Sequence, residues 1–346
     1  MRKIPILIAG GGPTGLTLGA LLAQQGIEAM VVEKNVSTTQ HPQAHAITGR
    51  TMEIFRSLGI DQEVYACGLN LRKAGGIRYV TSLAGDELAH LSLKVGPQDI
   101  AAMMSISPSL MASTPQDLVE PLLLKALRKS GGTIQFDTKL THFEQDESGV
   151  VATLRSNGKE EQVRAQWLVA CDGASSPIRK ALQIPTHGRE PLGHVLGLYF
   201  HADLSRWSRE RPAVLYWTID ATYPAVFIAL DGDQRWVLHI PWDPETETLS
   251  DYSEERCIAF ARHCIGADVP IDMRSIRPWV ITSQIADRFR EGRVLVAGDA
   301  AHRFPPRRRL RAERRRPGCA QPCLETGGAG SRSRKLGLAR YLRART

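Results

Sequence analysis

The chain has 346 residues, 42% hydrophobic and 23% charged, enough to bury one large core or two moderate ones. No apolar run approaches the roughly 18 residues of a membrane span, glycines follow MRKIPILIA where a signal peptide has a cleavage site, and six irregularly spaced cysteines make no disulfide framework. The formal charge of +8 belongs to the chain's end, where residues 307–346 hold 13 Lys and Arg against two acids, while 31 basic residues face 34 acidic ones before it. These features predict a cytoplasmic protein with no membrane or nucleic-acid partner.

Ile4–Ala9 reads as a buried strand, and Gly10, Gly12 and Gly15 follow it as G-x-G-x-x-G. The spacing of LTLGALLAQQG predicts a helix that ends at Gly26, and Ile27–Val32 a second strand that runs into Glu33. In that setting the first glycine permits a tight turn, the second lets a pyrophosphate reach backbone N–H groups, and the third lets helix and strand pack closely. The helix N-terminus adds partial positive charge, and Glu33 stands where a ribose hydroxyl can donate to it. Alone, the motif leaves FAD and NAD both open. Trp167–Leu182 is an apolar strand entering Cys171-Asp172-Gly173, then a helix start at Ser176-Pro177 with Arg179 in its first turns. Residues 213–219 and 225–242 read as strands, whose Tyr216, Trp217, Trp236 and neighbouring Tyr223 suit either a core or a ligand cavity. Cys257 and Cys264, seven apart in a helix-like stretch, read as small buried apolar groups. Arg293–Pro306 repeats the earlier design: a buried strand, Gly298-Asp299, small residues, then His302.

Three such motifs in this order resemble the flavin-dependent aromatic hydroxylases, the p-hydroxybenzoate and phenol hydroxylase family, across residues 1–306. Thr48–Ile60 and Thr114–Leu127 are similar to helical segments of that family. The resemblance implies an α/β fold: a split Rossmann-like FAD-binding domain (1–72, 105–183, 281–306) with an inserted, mainly antiparallel β-sheet substrate domain (73–104, 184–280). It implies that NADH or NADPH reduces FAD and that a flavin hydroperoxide passes one oxygen of O2 to an aromatic, phenolic substrate. Residue by residue, it places Gly10, Gly12 and Gly15 at the FAD pyrophosphate and Glu33 at the adenosine ribose. Gln116 falls at a cofactor contact, and Gly298 and Asp299 at the flavin-side ribose or ribityl chain. Asp172 and Gly173 fall in the motif tied to both FAD and nicotinamide, with Arg179 as the partner holding that loop. His45 stands where phenol-type relatives carry an acid or histidine, which implies a base for the phenol proton; a helix-entry histidine without catalytic role is the other reading. His302 is expected to pack the loop beside Asp299. HPQAH departs from the family, with Gln43 where an arginine often reaches the pyrophosphate. No metal site is expected, and homo-oligomerisation stays open. Two rivals remain: another flavin enzyme of this fold, a halogenase (WVLHIP approaches W-x-W-x-I-P) or a reductase, and an inactive pseudogene-type product.

The tail departs most from the family, where GDAAHRFPP leads into a segment resembling AGGFGLNTGVQDAHNLAWKLA. Back-translated and read one base later, Arg308–Gly327 can spell GGFGLNAGVQDAHNLAWKL. The expectation is a one-base insertion near the codons for Pro305–Arg307, a truncated product with a disordered basic tail, and weak retention of FAD. Cys319 and Cys323 resemble half a zinc site without a second ligand pair, and the shift accounts for them.

Overall fold

The computed structural model describes residues 1–93 and 95–305, so the expectations for the basic tail, and for Pro306, lie outside the described residues. The chain divides into two compact units, the first holding residues 1–39, 120–190 and 282 onward, the second 40–119 and 191–281.

The first unit is built on parallel strands in the order Thr133–Gln135, Ala29–Val32, Arg2–Ala9, Lys159–Ala170, Val294–Val296. Parallel strands are covered on both faces and so read as unbroken apolar runs; Leu7 and Ile8 are fully buried, as are Val31, Leu168 and Val294. Ala9 is level with both Val32 and Ala170, and Ala170 with Val296, so four strands finish at one edge. The helix Pro13–Gln24 starts on a proline, which has no N–H to leave unpaired there. It ends as predicted, with Gly26 at φ +68 and its N–H on the Ala23 carbonyl at 2.9 Å, followed by Ile27 N–H on Leu22 at 2.9 Å. The Gly173–Ser176 turn then opens the helix Pro177–Ala181.

The second unit is built on a mainly antiparallel sheet in the order Asp272–Ala286, Thr186–His201, Arg235–Pro241, Ala225–Ala229, Leu215–Thr218, Gly76–Val80, Glu87–Ser92, with residues 282–286 and 186–190 of the first two strands counted in the first unit and one parallel pair between the Leu215 and Gly76 strands. Strand alternation gives it two unlike faces. Leu196, Leu198, Phe200, Phe227, Trp236 and Leu238 form the inner core, packed against the helix Glu254–Ile265 through Cys257, Ala261 and Cys264. Both cysteines are buried and free, and burial pushes their thiols up to about 11 and about 12. Tyr199, Ile228, Leu230 and Val237 lie on the opposite, outer face. The four aromatic candidates therefore separate. Tyr216 and Trp236 are 1% and 0% exposed core residues, Trp217 stacks on Tyr79 with centroids 6.4 Å apart, and Tyr223 packs its edge on Phe260 and His263.

The units differ from the expected boundaries: residues 40–72, 105–119 and 281 belong to the second unit, and residues 184–190 to the first. The short strands Ala46–Ile47 and Ala112–Ser113 pair there, and Thr114 Oγ1 donates to the Val64 carbonyl at 2.8 Å, tying both stretches together. Among the described residues no helix is long and apolar enough to cross a membrane.

Candidate functional site

The first unit gathers three loops at its common strand edge. Gly10 has φ +112, and a Cβ there would collide with the Cys171 carbonyl, so the glycine turn and the Asp172 loop touch backbone to backbone. A Cβ on Gly15 would run into the Gly10 carbonyl, which explains the third glycine by packing alone. Gly298, at φ +62, lies against Thr14, where an added Cβ would be 2.6 Å from Oγ1. The Asp299 loop thus meets the same helix start. Gly12 is unlike these. Its nearest neighbour to an added Cβ is Glu120 Oε1 at 3.9 Å, and as the helix N-cap it offers no side-chain cap to the first-turn amides. Open space before uncapped amides at a helix N-terminus, with no acid in the first turn, fits a phosphate group.

Glu33 is 8% exposed and holds this turn in shape. Its Oε2 accepts the Gly11 N–H at 2.6 Å, and its Oε1 accepts the Asn35 N–H at 2.9 Å and Nδ2 at 2.6 Å. A carboxylate has about four lone-pair sites, so acceptor capacity is left for a ribose hydroxyl. Glu120 was not singled out in the sequence. It is 3% exposed, accepts the Thr39 N–H at 2.7 Å, and reaches towards Gly12. A buried acid on an otherwise apolar helix face was the signal that could have found it.

The Asp172 carboxylate is committed to its own loop: Ser176 Oγ donates to Oδ1 at 2.6 Å and the Ile178 N–H to Oδ2 at 3.2 Å. Burial pushes its carboxyl up, and those hydrogen bonds pull the other way. Arg179 steadies the loop from further along, its guanidinium donating to the Ile184 carbonyl at 3.2 Å. Gly173, at φ +86, has nothing within 4 Å of an added Cβ. Asp299 is exposed in a turn of 3-10 helix, and His302 pairs by backbone with Ile285 while its ring lies 5.3 Å from that of Phe304.

His45 and Gln116 lie in the second unit. The Gln116 N–H donates to the Ala44 carbonyl and the Thr114 N–H to the His45 carbonyl, both at 2.8 Å, which brings His45 beside the start of the helix Gln116–Lys129. Thr48, not His45, caps the next helix, accepting the Thr51 N–H at 3.3 Å. Gln43 is exposed. Burial pushes His45 down to about 4, and the same holds for His41 and His239, whose charged forms repel one another. No local pattern marks these three histidines, because they come from a loop and a strand roughly 200 residues apart, a separation that periodicity does not report. Among the described residues no set of three or more His, Cys, Asp or Glu could hold a metal.

A family model described as an FAD binding domain matches residues 3–308. A putative polyketide hydroxylase of Streptomyces halstedii is 32% identical over 311 residues, 88% of this chain and 56% of the relative. An aklavinone 12-hydroxylase of Streptomyces peucetius is 36% identical over 88% of this chain and 63% of its own length. A 2,4-dichlorophenol 6-monooxygenase of Cupriavidus pinatubonensis is 35% identical over 87% and 52%. The solved structure of the flavin-dependent monooxygenase PieE, in complex with FAD and substrate, superposes with TM-score 0.82 at 32% identity, covering 88% of this chain and 54% of that one. The chain thus spans between about half and two thirds of the length of these relatives. With its three-loop cradle and a match over nearly all of its described residues, it belongs to the FAD-dependent aromatic hydroxylase family.

Proposed function

We propose that this chain carries the FAD cradle and the substrate face of a cytoplasmic monooxygenase that consumes NADH or NADPH and O2 to hydroxylate an aromatic, phenol-bearing substrate. The observation that carries the reading is the meeting of the Gly10–Gly15, Asp172–Gly173 and Gly298–Asp299 loops at one strand edge. The chemistry supplied by bound FAD is hydride acceptance from the nicotinamide and activation of O2. The chain's own residues bind and orient. The uncapped amides after Gly12 take the pyrophosphate, Glu33 accepts from the adenosine ribose, and Asp299, exposed beside Thr14, accepts from the flavin-side hydroxyls. Gly173 leaves its loop open to the cofactor, Asp172 and Arg179 keep that loop in place, and Gln116 supplies a further cofactor contact.

The outer face of the second unit's sheet, with Tyr199, Trp217 and Tyr79, is the wall against which the aromatic substrate lies. His45 contributes as a hydrogen-bond acceptor. Held down to about 4 by burial, it is neutral at pH 7 and can accept from a phenol O–H. The same burial makes it a weak base, since full transfer of a phenol proton across roughly six pKa units costs about 8 kcal/mol. It therefore polarises the O–H and draws the proton off only as the ring is attacked. The halogenase reading rests on WVLHIP alone, where Leu238 stands in place of the motif's second tryptophan.

The test is NAD(P)H oxidation by the FAD-loaded chain, and by a version shifted by one base after Pro306, with phenols and polycyclic phenols under labelled O2. One labelled oxygen in the product per nicotinamide oxidised is the expected result. Chlorinated product with halide present, or oxidation that no aromatic compound stimulates, would overturn the proposal.

A further inference from the structure

Two buried carboxylates bracket the glycine turn. On one side stands Glu33, whose Oε2 takes the Gly11 N–H at 2.6 Å and whose Oε1 takes both nitrogens of Asn35, the backbone at 2.9 Å and the side chain at 2.6 Å. On the other stands Glu120, 3% exposed, whose Oε2 accepts the Thr39 N–H at 2.7 Å and whose Oε1 would lie 3.9 Å from a Cβ on Gly12. Each acid meets the turn with one oxygen and the chain after the second strand with the other. Residues 35–39 are thus strapped alongside Gly11–Gly12 at both ends.

Between the straps the loop is open to solvent. Val36 is 78% exposed, and Ser37 Oγ donates no further than the neighbouring Thr38 carbonyl at 3.1 Å. A loop with so little burial would otherwise be ordered by its ligand, at a cost in affinity. The place of Glu33 follows from the fingerprint that begins with the glycines. Glu120 comes from the helix Gln116–Lys129, 81 residues beyond Thr39, and no part of that fingerprint includes it. Burying a carboxylate is costly, and packing alone would be served as well by a leucine. Its bond to the Thr39 N–H is charge-assisted, the strong kind.

We infer that Glu120 is a positioning residue for FAD. It acts through Thr39, holding residues 35–39 in place before the adenosine arrives, so that binding does not have to order them. The inference rests on the adenosine diphosphate half of FAD meeting the glycine turn and Glu33.

Amide exchange and FAD titration on the full chain test it, with ADP as the second probe. Without ligand, the wild-type Thr39 amide should exchange slowly. Glu120→Ala should speed exchange at Thr39 while Arg2–Ala9 stay slow, and should weaken FAD and ADP by the same factor, about tenfold. Glu120→Gln keeps an oxygen that accepts from Thr39, so it should restore slow exchange and bring both affinities to within about threefold of wild type. A merely structural role would lower the urea midpoint of Glu120→Ala and leave both affinities where they were, which overturns the inference. Glu120→Gln binding as weakly as Glu120→Ala also overturns it, since charge and not the hydrogen bond would then be at work. If Glu120→Ala does not fold, the other two chains decide, and fast exchange at Thr39 in either overturns the role of Glu120. Failure of ADP to bind at all removes the adenosine reading, and this inference with it.

Discussion

Gly12 and Gly15 belong to one motif but do different work, and substitution separates them. A Cβ on Gly15 has no room beside the Gly10 carbonyl, whereas one on Gly12 meets open space. Gly15→Ala should therefore lower the stability of the apoprotein by a few kcal/mol, read as a fall in the urea midpoint. Gly12→Val should leave that midpoint unchanged and weaken FAD binding at least about tenfold, through lost access to the amides. Glu33 supplies a third contrast. Glu33→Ala leaves the buried Gly11 N–H without its acceptor, a loss of about 1–3 kcal/mol in the same unfolding measurement. Glycines and Glu33 were legible in the sequence because the motif ties each to a fixed offset from a strand. Glu120, His41 and His239 were not, since their partners come from elements remote in sequence.

The elements that hold the site are short, and their caps matter in proportion. The helix Pro177–Ala181 has only five residues, and Ser176 serves it twice, accepting the Arg179 N–H at 3.0 Å and donating to Asp172. Ser176→Ala should cost about 1 kcal/mol and loosen the Asp172 loop, visible as faster amide exchange at Gly173 and Ile178 with slow exchange kept in Arg2–Ala9. Strand-then-glycine patterns predicted all three loops, because apolar runs ending in small residues have few other uses. The unit boundaries escaped the same reading. Two-residue strands such as Ala46–Ile47 and Ala112–Ser113 have no periodicity to detect, yet their pairing moves residues 40–72 and 105–119 into the second unit. The aromatic strands were ambiguous for a related reason: alternation shows that Tyr216 and Trp217 face opposite ways, and only packing shows which faces the core.

Over the whole molecule, the buried histidines couple stability to acid. His41, His45 and His239 are held near 4 in the folded chain against 6.5 when unfolded. Between those values the unfolded chain binds more protons, so stability is full above about pH 6.5 and is lost as pH falls towards 4. At about 1.4 kcal/mol per pKa unit, this amounts to ~3 kcal/mol per histidine across the window. Urea midpoints should drop between pH 7.5 and pH 5, and His239→Asn should flatten the slope. A midpoint independent of pH in that range would contradict the burial of these rings.

The central claim is that the first unit's glycine turn, with Glu33, receives the adenosine diphosphate half of FAD. Competition binding tests it most directly, with FAD bound to the chain and then challenged by ADP or by FMN. The account predicts that ADP displaces FAD, that FMN does not, and that Gly12→Val weakens both FAD and ADP. Displacement by FMN alone, or FAD affinity unchanged in Gly12→Val, would contradict it.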